Sequence, residues 1–148
     1  MDSLNRRDAF PIFLALGALG SAEARAQDGS SLAKSRVIRF DELKVVHLDN
    51  GGAMRRVMSG TLPTGEFVEV HESMLPAGKM PHPPHKHPNT EWLFIQQGKL
   101  EYLDDGKAIP VGPGDIVFSA SNITHGLRNV GDTEASYIVV SVGKQIPE

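Results

Sequence analysis

The sequence predicts an all-β domain folded as a sandwich or barrel. Short apolar runs alternate with turn residues every eight to twelve residues or so, the spacing of an all-β chain. The turns carry Asp-Gly, Gly-Asp and Pro-x-Gly chemistry, which suits hairpins and tight reversals. No window beyond the N-terminal stretch sustains helical periodicity.

The elements follow in order. Val37–Phe40 and Val45–Leu48 precede an Asp49-Asn50-Gly51-Gly52 turn. Met54–Thr61 leads to Pro63-Thr64-Gly65, and Phe67–Leu75 to Pro76-Ala77-Gly78. Glu91–Gln97 stops at Gly98, Lys99–Leu103 at Asp104-Asp105-Gly106, and Ile109–Val111 at Gly112-Pro113-Gly114. Ile116–Ser119, Ile123–Val130 and Ala135–Val142 complete about ten strands, which layer naturally as a sandwich or barrel. In Glu91–Gln97 the odd positions are Glu91, Leu93 and Ile95, and the even ones Trp92 and Phe94. If the odd face lines the interior, the aromatic even face needs a cover, and a homodimer is expected.

Composition bounds the function. Lys and Arg number 15 against 18 Asp and Glu, a net charge of −3. Nothing in that balance suggests nucleic acid or an anionic membrane as partner, both of which want a basic patch. With no cysteine, the domain enters an oxidising compartment without needing disulfides.

Met1–Ala26 reads as an export signal, removed from the mature chain. Arg6-Arg7 precede an apolar run from Phe10, and Ala24-Arg25-Ala26 offers the small-x-small cleavage pattern. The run is shorter than the ~20 residues that span a bilayer, so no stable membrane anchor is expected. The paired arginines resemble a twin-arginine (Tat) signal, although Asn5 stands where Ser or Thr is usual and Phe10 sits one place late. A general secretory signal is the alternative, and either implies a periplasmic protein. Residues 27–35 read as a flexible leader and 36–148 as a single barrel domain.

The chemistry concentrates around His85-Lys86-His87 and Glu91. On an extended strand these three side chains share a face, with the histidine Cα atoms roughly 6.6–6.8 Å apart. Two imidazoles so placed can lean onto one ion, a carboxylate in phase can join, and His125 on a later strand can complete the set.

The frame around them is informative. The chain reads Gly78-x6-His85-x-His87-x3-Glu91-x6-Gly98, then Gly114-x5-Ala120-x-Asn122-x2-His125-x3-Asn129. This resembles the two motifs of the cupin superfamily, one residue longer before His85 and with Ala120 and Asn122 replacing the inner Pro and Gly. Asn tolerates a positive φ better than most residues, so that turn is expected to survive. The resemblance implies a double-stranded β-helix, the cupin jelly-roll barrel. It also implies one divalent transition metal held by His85, His87, Glu91 and His125. These ligand types suit Mn, Fe, Ni, Co, Cu or Zn and do not choose among them.

His82, in Pro81-His82-Pro83-Pro84, is expected at the barrel mouth and is the candidate catalytic group. His71 is expected as a hydrogen-bonded structural histidine, and His47 carries no signal beyond a strand end. Gln97, Tyr102 and Tyr137 are candidate pocket groups or partners for the ligands' second ring nitrogens, and Asn129 a turn support. No Ser-His-Asp order, paired acid/base carboxylates or phosphate-binding glycine loop competes. The resemblance implies an exported metal-dependent enzyme of dioxygenase, decarboxylase or isomerase type acting on a small organic molecule. A non-catalytic cupin that binds a small molecule or the metal is the alternative, and a dimer whose ion only aids folding is a third reading.

Overall fold

The structure, a computed structural model, describes residues 31–144. The expected signal segment Met1–Ala26 lies outside the described residues. Nine strands form among the described residues: β1 (Val45–His47), β2 (Ala53–Thr61), β3 (Phe67–Leu75), β4 (Thr90–Gln97), β5 (Leu100–Asp104), β6 (Lys107–Val111), β7 (Ile116–Ser119), β8 (His125–Asn129) and β9 (Ala135–Gly143). A six-stranded antiparallel sheet runs β1-β2-β3-β9-β4-β7, and a three-stranded one runs β6-β5-β8. Their inner faces close a jelly-roll β-barrel of the kind the motifs imply.

The expected strand Val37–Phe40 does not form. Phe40–Glu42 instead makes one 3-10 turn, closed by Leu43 N–H to the Phe40 carbonyl, and Val37 is 85% exposed. The short apolar run does not pair with β1, which ends the six-stranded sheet among the described residues. Phe40 lies instead under the Arg55 guanidinium, 4.6 Å from ring centroid to Cζ, and Arg55 pairs with the buried Glu72 carboxylate. Further along the N-terminal segment, Ser31 bridges to Thr61 at the end of β2.

Cross-strand register sorts the large sheet into rows. Inward rows are Leu75 with Ala135, then Ser73–Tyr137–Ile95, then His71–Val139–Leu93–Val117, then Glu69–Ser141–Glu91–Ser119. The lower rows pack with Leu100, Tyr102 and Leu127 of the small sheet into one apolar core. Each fully buried aliphatic side chain there contributes about 1.5–3 kcal/mol. The barrel is therefore apolar at one end and carries its polar side chains toward the other.

Two positions explain how the reversals hold. Gly98, between β4 and β5, has φ +94°, and a Cβ built there would meet the Ala135 Cβ at 2.5 Å and its Cα at 2.8 Å. Asn129, wholly buried, donates through its side-chain amide to the Leu75 and Thr133 carbonyls, and its Oδ1 accepts the Gly131 N–H. It ties the end of β8 to β3, as a turn support rather than a ligand.

Tyr137 sits in this core, 3% exposed, and burial pushes its phenol up to about 12, with the Ser73 hydroxyl pulling slightly back. An unfolded tyrosine titrates near 10. A folded pKa above the unfolded one gives a contribution that is complete below about pH 10 and disappears as pH rises through about 12. Two units correspond to about 2–3 kcal/mol. Tyr137→Phe is expected to remove that part of the alkaline loss. The check is the melting temperature of wild type minus variant between pH 9 and 12, which falls with pH if Tyr137 acts so and stays flat if it does not.

Candidate metal centre

The two histidines of His85-Lys86-His87 do not lie on one strand with Glu91. Only Glu91 is on β4, while His85 makes an isolated bridge with His125 and Pro88-Asn89 bend between them. The reason is local. Pro83, Pro84 and Pro88 lack the N–H a ladder needs, so pairing collapses to a single narrow pair. In it His85 N–H donates to the His125 carbonyl at 2.9 Å, and His125 N–H returns to His85 at 2.8 Å. That one bridge brings the first motif's loop onto the second motif's strand.

The turn before β8 does the rest. Asn122 takes φ +60°, as expected for the residue replacing a glycine, and its backbone N–H donates to the His87 carbonyl at 2.8 Å. Asn89 donates to the Ser141 hydroxyl at 3.3 Å and holds the other flank of the loop.

One nitrogen from each of His85, His87 and His125 lies within 4.8 Å of the others. Glu91 stands against two of them: its carboxylate is 3.3 Å from His87 Nε2 and 3.5 Å from His125 Nε2. The four residues named from the sequence therefore come together. His87 Nδ1–H donates to the Asn89 carbonyl at 3.1 Å, and His125 Nδ1–H to the Ile123 carbonyl at 2.9 Å. A carbonyl only accepts, so both rings keep the proton on Nδ1 and turn the Nε2 lone pair inward. Backbone carbonyls thus orient the ligand rings, where Gln97, Tyr102 and Tyr137 had been the candidates. Gln97 is exposed, Tyr137 lies in the core, and Tyr102 shares a 2.8 Å hydrogen bond with Ser119, beside Glu91 in the register.

The electrostatics suit a cation. His85 is pushed down to about 4, by burial first and then by His82, His125 and His87 around it. Burial pushes the Glu91 carboxyl up, but His125, His87 and His71 together hold it below its ordinary value. His125 is held above its ordinary value, chiefly by Glu91. The result is a carboxylate held toward its ionised form and facing the Nε2 atoms of His87 and His125. His85 Nδ1 and His125 Nε2 are buried without a hydrogen-bond partner, and an ion between them would satisfy both.

His82 stands edge-on to His85, ring centroids 4.1 Å apart, with its Nδ1 on the Pro83 carbonyl and its side chain exposed. It covers His85 but adds no atom to the cluster. His71 differs from expectation: its Nδ1 is buried without a hydrogen bond, and the nearest acid, Glu69, is 3.7 Å away. The barrel interior gives it no backbone acceptor, since β2 and β9 consume those in their ladders. Arg56 and Ser119 were not singled out from the sequence, and Glu69 only as sharing a face with His71. The register places all three on the inward rows of His71 and Glu91, with the Arg56 side chain exposed.

Residues 71–141 match the Cupin domain family. The Oxalate-binding protein of Thermotoga maritima is 32% identical over 59 residues, which cover 39% of this chain and 49% of the relative. The match thus spans about half of that protein. A predicted oxalate decarboxylase from Thermotoga maritima superposes with TM-score 0.58 at 23% identity, over 72% of this chain and 98% of the other. An RmlC-like cupin from Shewanella frigidimarina does so with TM-score 0.63 at 15% identity, over 75% and 94%. At those identities the likeness speaks for a shared fold. The Cupin domain match thus covers just under half of the chain, and the barrel fold is shared with these solved structures.

Proposed function

We propose that His85, His87, Glu91 and His125 hold one divalent transition metal at which a small carboxylate binds, and that the chain is an exported enzyme of dioxygenase, decarboxylase or isomerase type. The observation that carries the metal reading is the pair of buried, unpartnered imidazole nitrogens, His85 Nδ1 and His125 Nε2, the latter 3.5 Å from the Glu91 carboxylate. When bound, the ion supplies Lewis-acid or redox chemistry. The chain's own part is to aim three rings and one carboxylate, and to place Leu93, Val117 and Val139 beneath them as a water-excluding floor. The choice of an acid as ligand follows the oxalate-binding relative.

The test is calorimetry of the metal-loaded protein with oxalate and related small acids, together with assays of O2 uptake and CO2 release. Saturable binding with turnover supports the enzyme. Binding without turnover selects a non-catalytic carrier, the reading favoured by the relative's description as a binding protein. Absence of any acid binding contradicts both.

The outer face of β4 and β7 supports a homodimer. Trp92 pairs with Phe118, their ring centroids 5.4 Å apart, and Phe94 with Ile116; Ile116 and Phe118 are largely exposed. Ile138 and Val140 continue the same rows on β9. Such a contiguous apolar sheet face is expected to be covered by a second copy. Sedimentation of wild type is expected to give a dimer at micromolar concentration, and Phe118→Glu with Ile116→Glu a folded monomer. A monomeric wild type would count against it.

Export rests on Met1–Ala26 alone. With a Tat signal the folded protein crosses the membrane and carries a metal acquired in the cytoplasm, before Cu or Zn displace weaker-binding ions. Replacing Arg6-Arg7 with Lys-Lys is expected to abolish periplasmic accumulation. Undiminished export favours the general secretory route.

A further inference from the structure

We infer that Arg56, presented beside His71 on the inner face of the barrel, is a second anchor for the ligand. It receives the distal carboxylate of a small dicarboxylate whose near carboxylate lies at the three-histidine cluster. This builds on the carboxylate reading above.

Arg56 pairs across β2 and β3 with His71, in register with the interior residues Met54–Ser73 below and Ser59–Glu69 above. Directly opposed residues share a face, so its side chain starts inward. The register then shifts between Arg56 and Met58, a bulge that bends the strand just beyond the arginine and leaves its side chain exposed.

Arg55 and Arg128 each hold an acid, Glu72 and Glu101, but Arg56 has no acid within ion-pair distance among the described residues. A guanidinium that begins on an interior face without an acid partner is a donor fork suited to a carboxylate. Beside it, His71 Nδ1 is buried without a partner, and the ring is held below its ordinary pKa by burial first, helped by Arg56 and His82 and opposed by Glu69 and Glu91. Of these, Glu69 is half-exposed and lies 3.7 Å from His71 Nδ1.

Sheet geometry sets the ligand's length. Arg56 and Glu91 lie three strands and one inward row apart, through His71, Val139 and Ser141. Strand spacing and rise put their Cα atoms about 16 Å apart. With an extended arginine reaching in from one end and the ligand side chains from the other, the span left is expected to suit a four- or five-carbon diacid better than oxalate. The apolar Leu93 and Val139 between them suit a methylene linker.

The experiment is calorimetry on the metal-loaded full chain with glutarate and with valerate, which replaces one carboxylate by a methyl group. Wild type is expected to favour glutarate by about tenfold or more at low ionic strength, the scale of one charge-assisted pair. Arg56→Gln is expected to bring the ratio to about one with metal content unchanged, and Arg56→Lys to retain part of the preference. A ratio that survives Arg56→Gln, or a wild type that binds both acids equally, overturns the anchor and leaves the carboxylate reading standing. A wild type that binds neither acid nor any other overturns both.

Discussion

Replacing His85 and His87 together by alanine is expected to reduce bound metal from about one ion per chain to near zero, since two of four ligands leave a site of one imidazole and one carboxylate. The change also removes the melting-temperature difference between metal-loaded and chelator-treated protein, because an ion that binds only the folded state stabilises it by mass action. The β-sheet signal is expected to persist, since the hydrophobic core lies in the rows below the cluster and contains neither histidine. His82→Gln serves as the control: its ring covers His85 without joining the cluster, so stoichiometric metal is retained. Elemental analysis of the purified variants reads both. Full metal content in the double variant would place the ion elsewhere.

The second large effect is on folding. Gly98→Ala forces a side chain into a left-handed backbone at φ +94° and drives its Cβ to 2.5 Å from that of the wholly buried Ala135. Conformational strain costs about 1–3 kcal/mol and overpacking a further 1–3, so a total of about 2–6 kcal/mol is expected. Gly106→Ala separates the two contributions. Gly106 has φ +86° but nothing within reach of a Cβ, so it is expected to show the strain alone, about 1–3 kcal/mol. Urea midpoints at constant slope measure both. Equal losses at the two glycines would mean that the contact with Ala135 relaxes freely.

The residues that were legible in the sequence share a physical reason. Turn glycines and strand alternation are local, and so nine of the ten expected strands appear near their places and Leu93 and Ile95 face inward while Phe94 faces out. Asn122 was legible because few non-glycine residues tolerate positive φ. Val37–Phe40 was misread because Phe40 turns to lie under the Arg55 guanidinium, a contact with a distant strand that the local pattern does not carry. The extended His85–Glu91 strand was misread for a related reason: side-chain phase was weighed and the missing proline N–H groups were not. The ligand set nonetheless converges, since the His85–His125 bridge replaces the strand.

What the sequence could not show is non-local. The carbonyls of Asn89 and Ile123 that fix the ligand tautomers belong to the backbone and leave no residue signature. Arg56 and Glu69 become interior only through the pairing of β2, β3 and β9. His71 shows the same limit in reverse. Its position on an inward face was readable, but its lack of a hydrogen-bond partner depends on ladders contributed by distant strands.

The central claim is that three imidazoles and one carboxylate from the two histidine motifs enclose a single ion. X-ray absorption at the edge of the metal found in protein purified from its native compartment tests it most directly. The account predicts one ion per chain with a first shell of nitrogen and oxygen at about 2.0–2.2 Å and the outer-shell scattering of three imidazole rings. A metal content far below one per chain, or a first shell lacking imidazole scattering, would contradict it.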